Sequence, residues 1–518
     1  MRKLSMFLCC LLLAACDSQS TKSNSDAATE TANKVVEQSQ SSLTFAQPLI
    51  ELSAVEVLPI LKSGEVSVQD YIEALLQQTQ KYSELNAFIS LPQDQVRAAA
   101  KAADDRRAAG ERLGPLFGIP ISLKDLIVTK DMPTTFGTKK FAGFHGRKNA
   151  HIVDMLEDAG AIIFGKNNAQ EWAFGSTGYN SHYGQQLNPY DTSRIAGGSS
   201  GGGVVAVAAR MLPIAIGSDT AASIRVPAAY TGLYGLRPTT GRYNISGVAP
   251  LSPTLDTIGP MTRSIEDLAL IDTVLTGQTT ELVNVELEGL RLGVPGAFFD
   301  YGVSKEMRKA FNALLQQLRS AGVVLIEADL ADAQTLYDQG LYPILFSETH
   351  PSVSAFLAEW GDGTTIDELH SELGDDIRGM WDQLVMPGAP GAIPAEVYQA
   401  AIDQVRPAMQ ASYRDYFANN NVDAILFPAT ASEAPNAKPD NPQETVIDGK
   451  TVSIFINDHN SSPGALAGQP GVVLPMALSA NGLPLGVSLD GKQDQDRELL
   501  AIAKAIANVI EPIAGPSL

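Results

Sequence analysis

Two serines embedded in glycine-rich stretches constrain this chain more than any other feature. The first lies in the run 196–202, which reads AGGSSGG, and the second closes the run 217–223, which reads GSDTAAS. Glycine lets the backbone approach closely and adopt conformations that other residues rarely adopt. Upstream, Lys124 lies in an apolar stretch that is typical of a buried strand. Together, Lys124, Ser199 and Ser223 indicate a catalytic site built on one lysine and two serines.

A serine hydroxyl is a poor nucleophile at neutral pH and needs a nearby base, which is usually a histidine oriented by a carboxylate. The six histidines lie outside any triad-like sequence context: His145, His151, His182, His350, His370 and His459. We expect structural or surface roles for them, with His182 and His459 the strongest candidates for an exception. Lys124 can serve as the base instead if burial disfavours its charged form. On a strand, the neighbouring Asp125 points to the opposite face and need not keep the lysine charged.

These motifs, in this order, resemble those of the amidase signature family over residues 51–512. The matching segments are SLKD at 122–125, GGSSGG at 197–202 and DTAASIR at 219–225. The resemblance implies an α/β amidase signature fold, with a large mixed central sheet covered by helices on both faces. It also implies that Ser223 is the nucleophile and that its proton passes to Ser199, while Ser199 passes a proton to neutral Lys124. In such a site, Gly198 and Ser199 are joined by a cis peptide bond.

The resemblance also assigns the developing oxyanion to backbone N–H groups of the loop 220–223. Preorganised donors of this kind are worth about 3 kcal/mol each. Two of them belong to Ala221 and Ala222, which stand where the family usually has two glycines. If both positions required a positive φ, the two alanines would cost about 1 kcal/mol each. Otherwise their methyl groups narrow the carbonyl pocket. The residues assigned to this loop are Thr220, Ala221, Ala222 and Ser223.

Further site residues follow from the same overlay. Ser200 is expected to brace the proton relay of Ser223, Ser199 and Lys124 through a side-chain hydrogen bond. Asp219 and Arg225 are expected to fix the loop 220–223, here called the nucleophile loop, by buried polar contacts. No clustered spacing of His, Asp and Glu suggests a metal, and the resemblance implies no cofactor. The residues expected to border the substrate are Ala173, Gly175 and Ser176.

The N-terminus is typical of an exported bacterial lipoprotein. Residues 1–15 combine a cationic start, a short apolar run and a small-residue end, which is the pattern of a signal peptide. The sequence LAAC at 13–16 resembles a lipobox, so we expect Cys16 to carry lipid. The alternative is an ordinary cleaved signal peptide with a chance cysteine. Residues 16–42 are rich in small and polar residues and are predicted to form a flexible tether behind the lipidated Cys16.

Residues 43–518 are predicted to form a single amidase signature domain with a variable, substrate-shaping region around 278–422. Helix and strand signals alternate along it, which favours an α/β sheet. Strands are predicted at 119–128, 161–165, 213–217, 291–295, 424–428, 472–476 and 485–489. Helices are predicted at 68–82, 151–159, 202–210, 305–321, 394–418 and 496–509.

Charge and cysteine content limit the partners. The formal net charge of −21 opposes binding to nucleic acid. All three cysteines lie within residues 9–16, so the mature chain has no thiol for a disulfide, a cysteine nucleophile or a thiolate metal site. We expect a small-molecule amide as substrate and membrane contact through lipid on Cys16, and we leave a homodimer open. Asp17 resembles a retention signal for the inner membrane, with the protein on its periplasmic side.

The predicted function is an extracytoplasmic amidase that converts a linear amide to a carboxylate plus ammonia or amine through an acyl-enzyme on Ser223. Residues 233–257 and 457–468 look more like the indoleacetamide and mandelamide hydrolase branch, which favours an arylacetamide-type substrate. Three alternatives stay open. One is a non-catalytic lipoprotein that binds amides or peptides on an amidase scaffold. Another is the A-like component of glutamyl-tRNA amidotransferase, which export, acidity and Val226 disfavour. The third is a cell-wall amidase, which only the location suggests.

Overall fold

An eleven-stranded mixed sheet organises the part of the chain that the structure describes. The structure is a computed structural model that describes residues 48–278, 281–439, 441 and 443–517. The predicted signal peptide, the lipid site at Cys16, the tether and the domain start at residue 43 lie outside these residues. From Leu49 onward the chain forms one compact unit.

Strand bounds are β1 Phe88–Ser90, β2 Pro120–Lys124, β3 Ile162–Asn167, β4 Leu187–Asn188, β5 Asp191–Ile195, β6 Ile214–Asp219, β7 Tyr234–Arg237, β8 Thr257–Thr262, β9 Arg291–Gly293, β10 Val324–Ile326, β11 Ala424–Pro428, β12 Glu444–Ile447, β13 Lys450–Ser453, β14 Gly471–Leu478 and β15 Pro484–Asp490. The strand order in the large sheet is β1-β3-β2-β6-β8-β7-β14-β15-β11-β9-β10, and two small two-stranded sheets pair β4 with β5 and β12 with β13.

Helices cover both faces of this sheet. Helix bounds are α1 Ala54–Ser63, α2 Val68–Lys81, α3 Gln93–Ala108, α4 His151–Asp158, α5 Gly201–Ala208, α6 Arg225–Tyr230, α7 Ile265–Thr276, α8 Lys305–Ser320, α9 Ala333–Trp360, α10 Ile366–Glu372, α11 Asp375–Leu384, α12 Ala395–Ala400, α13 Arg406–Asn420, α14 Ser462–Ala467 and α15 Asp496–Ala507. The predicted α/β fold class, with a large mixed sheet between helices, is confirmed.

Strand β11 illustrates why helices are needed on both sides of the sheet. Ala424 and Leu426 pack into an apolar core with α8 and α15, whereas Ile425 and Phe427 pack into a second core with α9 and α13. Successive side chains on a strand point to opposite faces. An uninterrupted apolar strand therefore buries both of its faces, and each face requires its own layer of helices.

The sheet brings the predicted catalytic segments together at one edge. Strands β2 and β6 are parallel neighbours, with Leu123 opposite Ile216. The carboxyl ends of parallel strands lie at the same edge of a sheet, so Lys124 at the end of β2 lies beside the end of β6. The nucleophile loop follows β6 directly and leads into α6.

Several predicted bounds need correction. The strand predicted at 119–128 ends at Lys124, because the chain turns there and Ile127 N donates to Lys124 O at 3.0 Å. The helix predicted at 394–418 is interrupted by one π-helical turn at Ala401–Val405. The sequence did not predict α9, which is 28 residues long and contains Pro343 and Pro351. Among the described helices, none is both long enough and apolar enough to cross a bilayer.

Candidate active site

Lys124 lies at the centre of a buried hydrogen-bonded group. Its Nζ atom is 2.6 Å from Ser199 Oγ and 2.8 Å from Ser218 Oγ. Lys124 is 1% exposed and Ser199 is fully buried. The neighbouring Asp125 faces away, as predicted, and pairs with Lys166 at 3.0 Å. No carboxylate of the described residues therefore contacts the Lys124 ammonium directly.

Burial lowers the pKa of Lys124 to about 7, although Asp219 and Asp256 act in the opposite direction. A charged ammonium loses its hydration when it is buried without a partner anion, and this favours the neutral amine. Neutral Nζ has two N–H groups and one lone pair. It can donate to Ser218 while the lone pair accepts the hydroxyl proton of Ser199.

Ser199 and Ser200 are held at the start of α5. The peptide bond between Gly198 and Ser199 is cis, as the resemblance implied. The Ser200 hydroxyl donates to Ser218 O at 3.1 Å and accepts from Ser218 N at 3.3 Å. Ser200 thus braces the backbone of β6 at the residue whose hydroxyl contacts Lys124.

Ser223 lies at the wall of a large cavity. The side chain is half-buried, and Ser223 O accepts a hydrogen bond from Ser200 N at 3.3 Å. Within the described residues, the N–H groups of Ala221, Ala222 and Ser223 have no hydrogen-bond acceptor. Free backbone donors beside a serine at a cavity wall are what oxyanion stabilisation requires.

The two alanines of the nucleophile loop occupy ordinary backbone conformations. Neither Ala221 nor Ala222 is among the described non-glycine residues with positive φ, so no left-handed strain arises at either position. Ala221 lines the cavity, whereas Ala222 packs against Val226 and Tyr230. Of the two extra methyl groups, only that of Ala221 narrows the cavity.

Asp219 fixes the loop from beneath, as predicted. Its carboxylate accepts hydrogen bonds from Ile224 N at 3.1 Å and Arg225 Nη2 at 3.1 Å, and from Arg237 Nη1 at 2.9 Å. All three charged side chains are fully buried. Burial alone would raise the pKa of Asp219, but the two arginines lower it below its usual range. The carboxylate is therefore ionised and holds both ends of the loop.

We expect Asp219→Ala to destabilise the fold by about 3–5 kcal/mol, because it leaves two buried guanidinium groups without their shared anion. The measurement is denaturant unfolding of the purified variant. Asp105→Ala is the matched control, since Asp105 belongs to an exposed pair with Lys101, and exposed pairs contribute little. Equal stability of the two variants would contradict this role for Asp219.

A second carboxylate, Asp256, supports the same loop from the side. Its Oδ1 atom accepts from Thr220 Oγ1 at 2.7 Å, and its Oδ2 atom accepts from Leu251 N at 2.8 Å and Ser252 N at 2.9 Å. Burial raises the pKa of Asp256 to about 6 despite these three hydrogen bonds. Thr220, at the start of the loop, is thus connected to the segment that precedes β8.

The cavity in front of Ser223 has a volume of about 730 Å³ and a largely apolar and aromatic wall. Part of the wall comes from α9 and α11, within the region 278–422 that was predicted to shape the substrate pocket. The wall residues from this region are Tyr301, Gly302, Tyr337, Tyr342, Leu345, Phe346, Met380 and Leu384.

The loop after β3 supplies another side of the cavity. Ala173 and Gly175 line it, and Ala173 has a positive φ of 57°. Gly175 has a φ of 146°, and a β-carbon there would clash with the side chain of Gln170. Gln170 Oε1 accepts from Thr177 N at 3.0 Å and Gly178 N at 3.1 Å. Gln170 therefore fixes the course of this loop.

Asp458 and His459 add ionisable groups to the cavity wall. Burial raises the pKa of Asp458 to about 7, with the Ser176 hydroxyl acting against this rise. Ser176 was predicted to border the substrate, but it does not belong to the cavity wall. His459 stacks on Phe298 with the ring centroids 3.8 Å apart. The other candidate histidine, His182, pairs with Glu171 at 3.1 Å.

The family model for amidases matches residues 70–500. This chain belongs to the amidase family. Mandelamide hydrolase from Pseudomonas putida is 34% identical over 90% of this chain and 93% of its own length. Indoleacetamide hydrolase from Allorhizobium ampelinum is 32% identical over 89% and 99%. The chain is accordingly a hydrolase of amide carbon–nitrogen bonds.

Other relatives of this amidase have a different activity or a solved structure. The A component of the glutamyl-tRNA(Gln) amidotransferase from Chloroflexus aggregans is 33% identical over 87% of this chain and 95% of its own length. A solved amidase structure superimposes with a TM-score of 0.79 at 29% identity, covering 89% of this chain and all of the other.

Sequence reasoning missed three polar residues of the amidase site. Ser218 lies inside the quoted motif, but its contact with Lys124 depends on the register of β2 against β6. Gln170 and Asp458 lie in or beside segments that had been singled out, yet nothing in their local pattern distinguishes them. Among the described residues, no group of three or more His, Cys, Asp or Glu is placed to hold a metal ion.

Proposed function

We propose that this amidase cleaves linear carboxamides through an acyl-enzyme on Ser223. The Ser223 hydroxyl attacks the amide carbon as its proton passes to Ser199, and Ser199 gives its own proton to neutral Lys124. The carbonyl oxygen becomes an oxyanion facing the free N–H groups of the loop. When the carbon–nitrogen bond breaks, the proton returns through Ser199 to the leaving nitrogen. Water then hydrolyses the ester to a carboxylate and free Ser223.

One observation carries this proposal. Lys124 is buried, burial lowers its pKa to about 7, and its Nζ atom contacts Ser199 Oγ at 2.6 Å. The next residue, Ser200, donates its N–H to Ser223 O, and Ser223 lines the cavity. A base with a pKa near the working pH is suited to proton transfer. None of the named contacts requires a histidine.

We propose an aryl-substituted carboxamide, of arylacetamide type, as the substrate class. The cavity volume falls within the range of small-molecule sites, and Tyr337, Tyr342 and Phe346 supply aromatic faces to its wall. Stacked and edge-on contacts with such faces favour an aromatic acyl group. The names of the mandelamide and indoleacetamide hydrolases agree with this class.

The test is ammonia release from 2-phenylacetamide, mandelamide and indole-3-acetamide, with acetamide as the small comparison. We expect kcat/KM to be higher for the three aryl amides than for acetamide. Hydrolysis of acetamide alone would contradict the aryl class, and hydrolysis of none of them by folded protein would contradict the proposed reaction. Ammonia release from glutamine alone would favour the amidotransferase branch.

We also propose export and lipid attachment at Cys16, with the amidase tethered on the periplasmic side of the inner membrane. The support is the lipobox-like LAAC at 13–16 and the following Asp17. Expression in a bacterium fed radiolabelled palmitate should label the wild-type chain but not Cys16→Ser. Equal labelling of both chains, or of neither, would contradict this attachment.

A further inference from the structure

Glu348 on α9 connects the variable region to the reaction centre. Its Oε2 atom accepts hydrogen bonds from Ser252 Oγ at 2.6 Å and Thr254 N at 3.2 Å. Its Oε1 atom accepts from Thr254 Oγ1 at 2.6 Å and from Tyr398 OH at 3.0 Å. Glu348 is 8% exposed, so its carboxylate is bound almost entirely by these four protein donors and hardly by solvent.

The residues that Glu348 holds lead directly to the nucleophile loop. Ser252 is fully buried, and its N–H donates to Asp256 Oδ2 at 2.9 Å. Asp256 Oδ1 in turn accepts from Thr220 Oγ1 at 2.7 Å. A continuous path of hydrogen bonds thus runs from Glu348 through Ser252 and Asp256 to Thr220, at the start of the nucleophile loop.

The hydrogen bonds of Glu348 are separate from the part of the cavity wall that the same helix provides. Phe346 lies two residues before Glu348 and lines the cavity, whereas Glu348 does not belong to the cavity wall. The Glu348 carboxylate accepts charge-assisted hydrogen bonds from both Ser252 and Thr254, and these bonds fix the position of the segment that holds the two residues. Misplacement of catalytic groups by about 1 Å can lower the rate by about 100-fold.

We infer that Glu348 is a positioning residue for the amidase reaction. It holds Ser252 and Asp256, and Asp256 in turn holds Thr220, so that the nucleophile loop keeps its productive geometry. The inference rests on the proposed function, because it assumes that this loop stabilises the oxyanion. It predicts that loss of Glu348 lowers kcat by the same factor for large and small amides.

The experiment compares kcat and KM of Glu348→Leu, Glu348→Gln and wild type with 2-phenylacetamide and acetamide. We expect Glu348→Leu to lower kcat about 10-fold or more for both amides, with KM within about 3-fold of wild type. Glu348→Gln should recover most of this loss, since its amide oxygen can accept from Ser252 and Thr254 while its NH₂ group donates to hydroxyl oxygens.

Two controls separate positioning from simple instability or pocket shape. Glu359→Leu makes the same change at an exposed glutamate of α9 and should leave kcat within about 2-fold, as expected for an exposed surface change. Phe346→Ala should instead change the ratio of kcat/KM between the two amides. Thermal unfolding of each variant gives its folded fraction at the assay temperature, and kcat is calculated per folded molecule.

Each outcome separates the inference from the proposed function. If wild type hydrolyses neither amide, the proposed function fails. If wild type is active and folded Glu348→Leu retains its kcat, or loses activity toward 2-phenylacetamide only, the positioning role is overturned. Failure of Glu348→Gln to recover activity would also contradict it, because glutamine preserves the shape and acceptor of the side chain.

Discussion

Ser223→Ala is expected to lower kcat for amide hydrolysis by about 10⁴-fold or more, since removal of a catalytic nucleophile leaves only binding and oxyanion stabilisation. Among the described residues, the Ser223 hydroxyl makes no hydrogen bond, so the variant should fold like wild type. The measurement is ammonia release from 2-phenylacetamide. Ser193→Ala, at an exposed serine of β5, is the matched control and should retain activity. Comparable rates for the two variants would remove Ser223 from its proposed role.

Lys124→Met is expected to lower kcat/KM by about 10³-fold, because general-base catalysis contributes about 10²–10⁴-fold. Methionine keeps much of the volume and apolar stem, so the variant tests the amine rather than packing. In wild type, kcat/KM should fall as the pH drops through about 7, since burial lowers the pKa of Lys124 to that value and only the neutral amine accepts a proton. Above pH 7 the profile should level off.

Asp458 requires a control in this pH profile, because burial raises its pKa to about 7 as well. Asp458→Asn should keep the fall in kcat/KM near pH 7 if Lys124 is responsible. Loss of the pH dependence in Asp458→Asn, or a flat wild-type profile between about pH 5 and pH 9, would contradict the assignment of the base.

Local sequence patterns predicted much of the fold because many strands are continuous apolar runs. Strand β6 lies near its predicted range, and α2 begins at Val68 as predicted, with the Ser67 hydroxyl accepting from Asp70 N at 2.9 Å. The long helix α9 was missed because Pro343 and Pro351 interrupt its pattern, and proline normally ends or kinks a helix. Tertiary packing of its buried residues overrides that local signal.

The candidate site likewise contains residues that local motifs predict and contacts that depend on the tertiary structure. Lys124, Ser199 and Ser223 could be named from their motifs, and their predicted roles stay predictions until tested. The contact of Ser218 with Lys124 could not be predicted, because it depends on how β2 pairs with β6. Glu348 is 96 residues from Ser252 in sequence, and neither residue lies in a pattern that points to the other.

The most direct test of the central claim is reaction of the protein without residues 1–42 with a fluorophosphonate probe, followed by mass-spectrometric mapping of the modified residue. The probe captures an activated serine without requiring knowledge of the substrate. We expect one adduct on Ser223 in wild type and none in folded Lys124→Ala, since the hydroxyl then lacks its base. No adduct on folded wild type, an adduct on another residue, or equal labelling of Lys124→Ala would contradict the proposed relay.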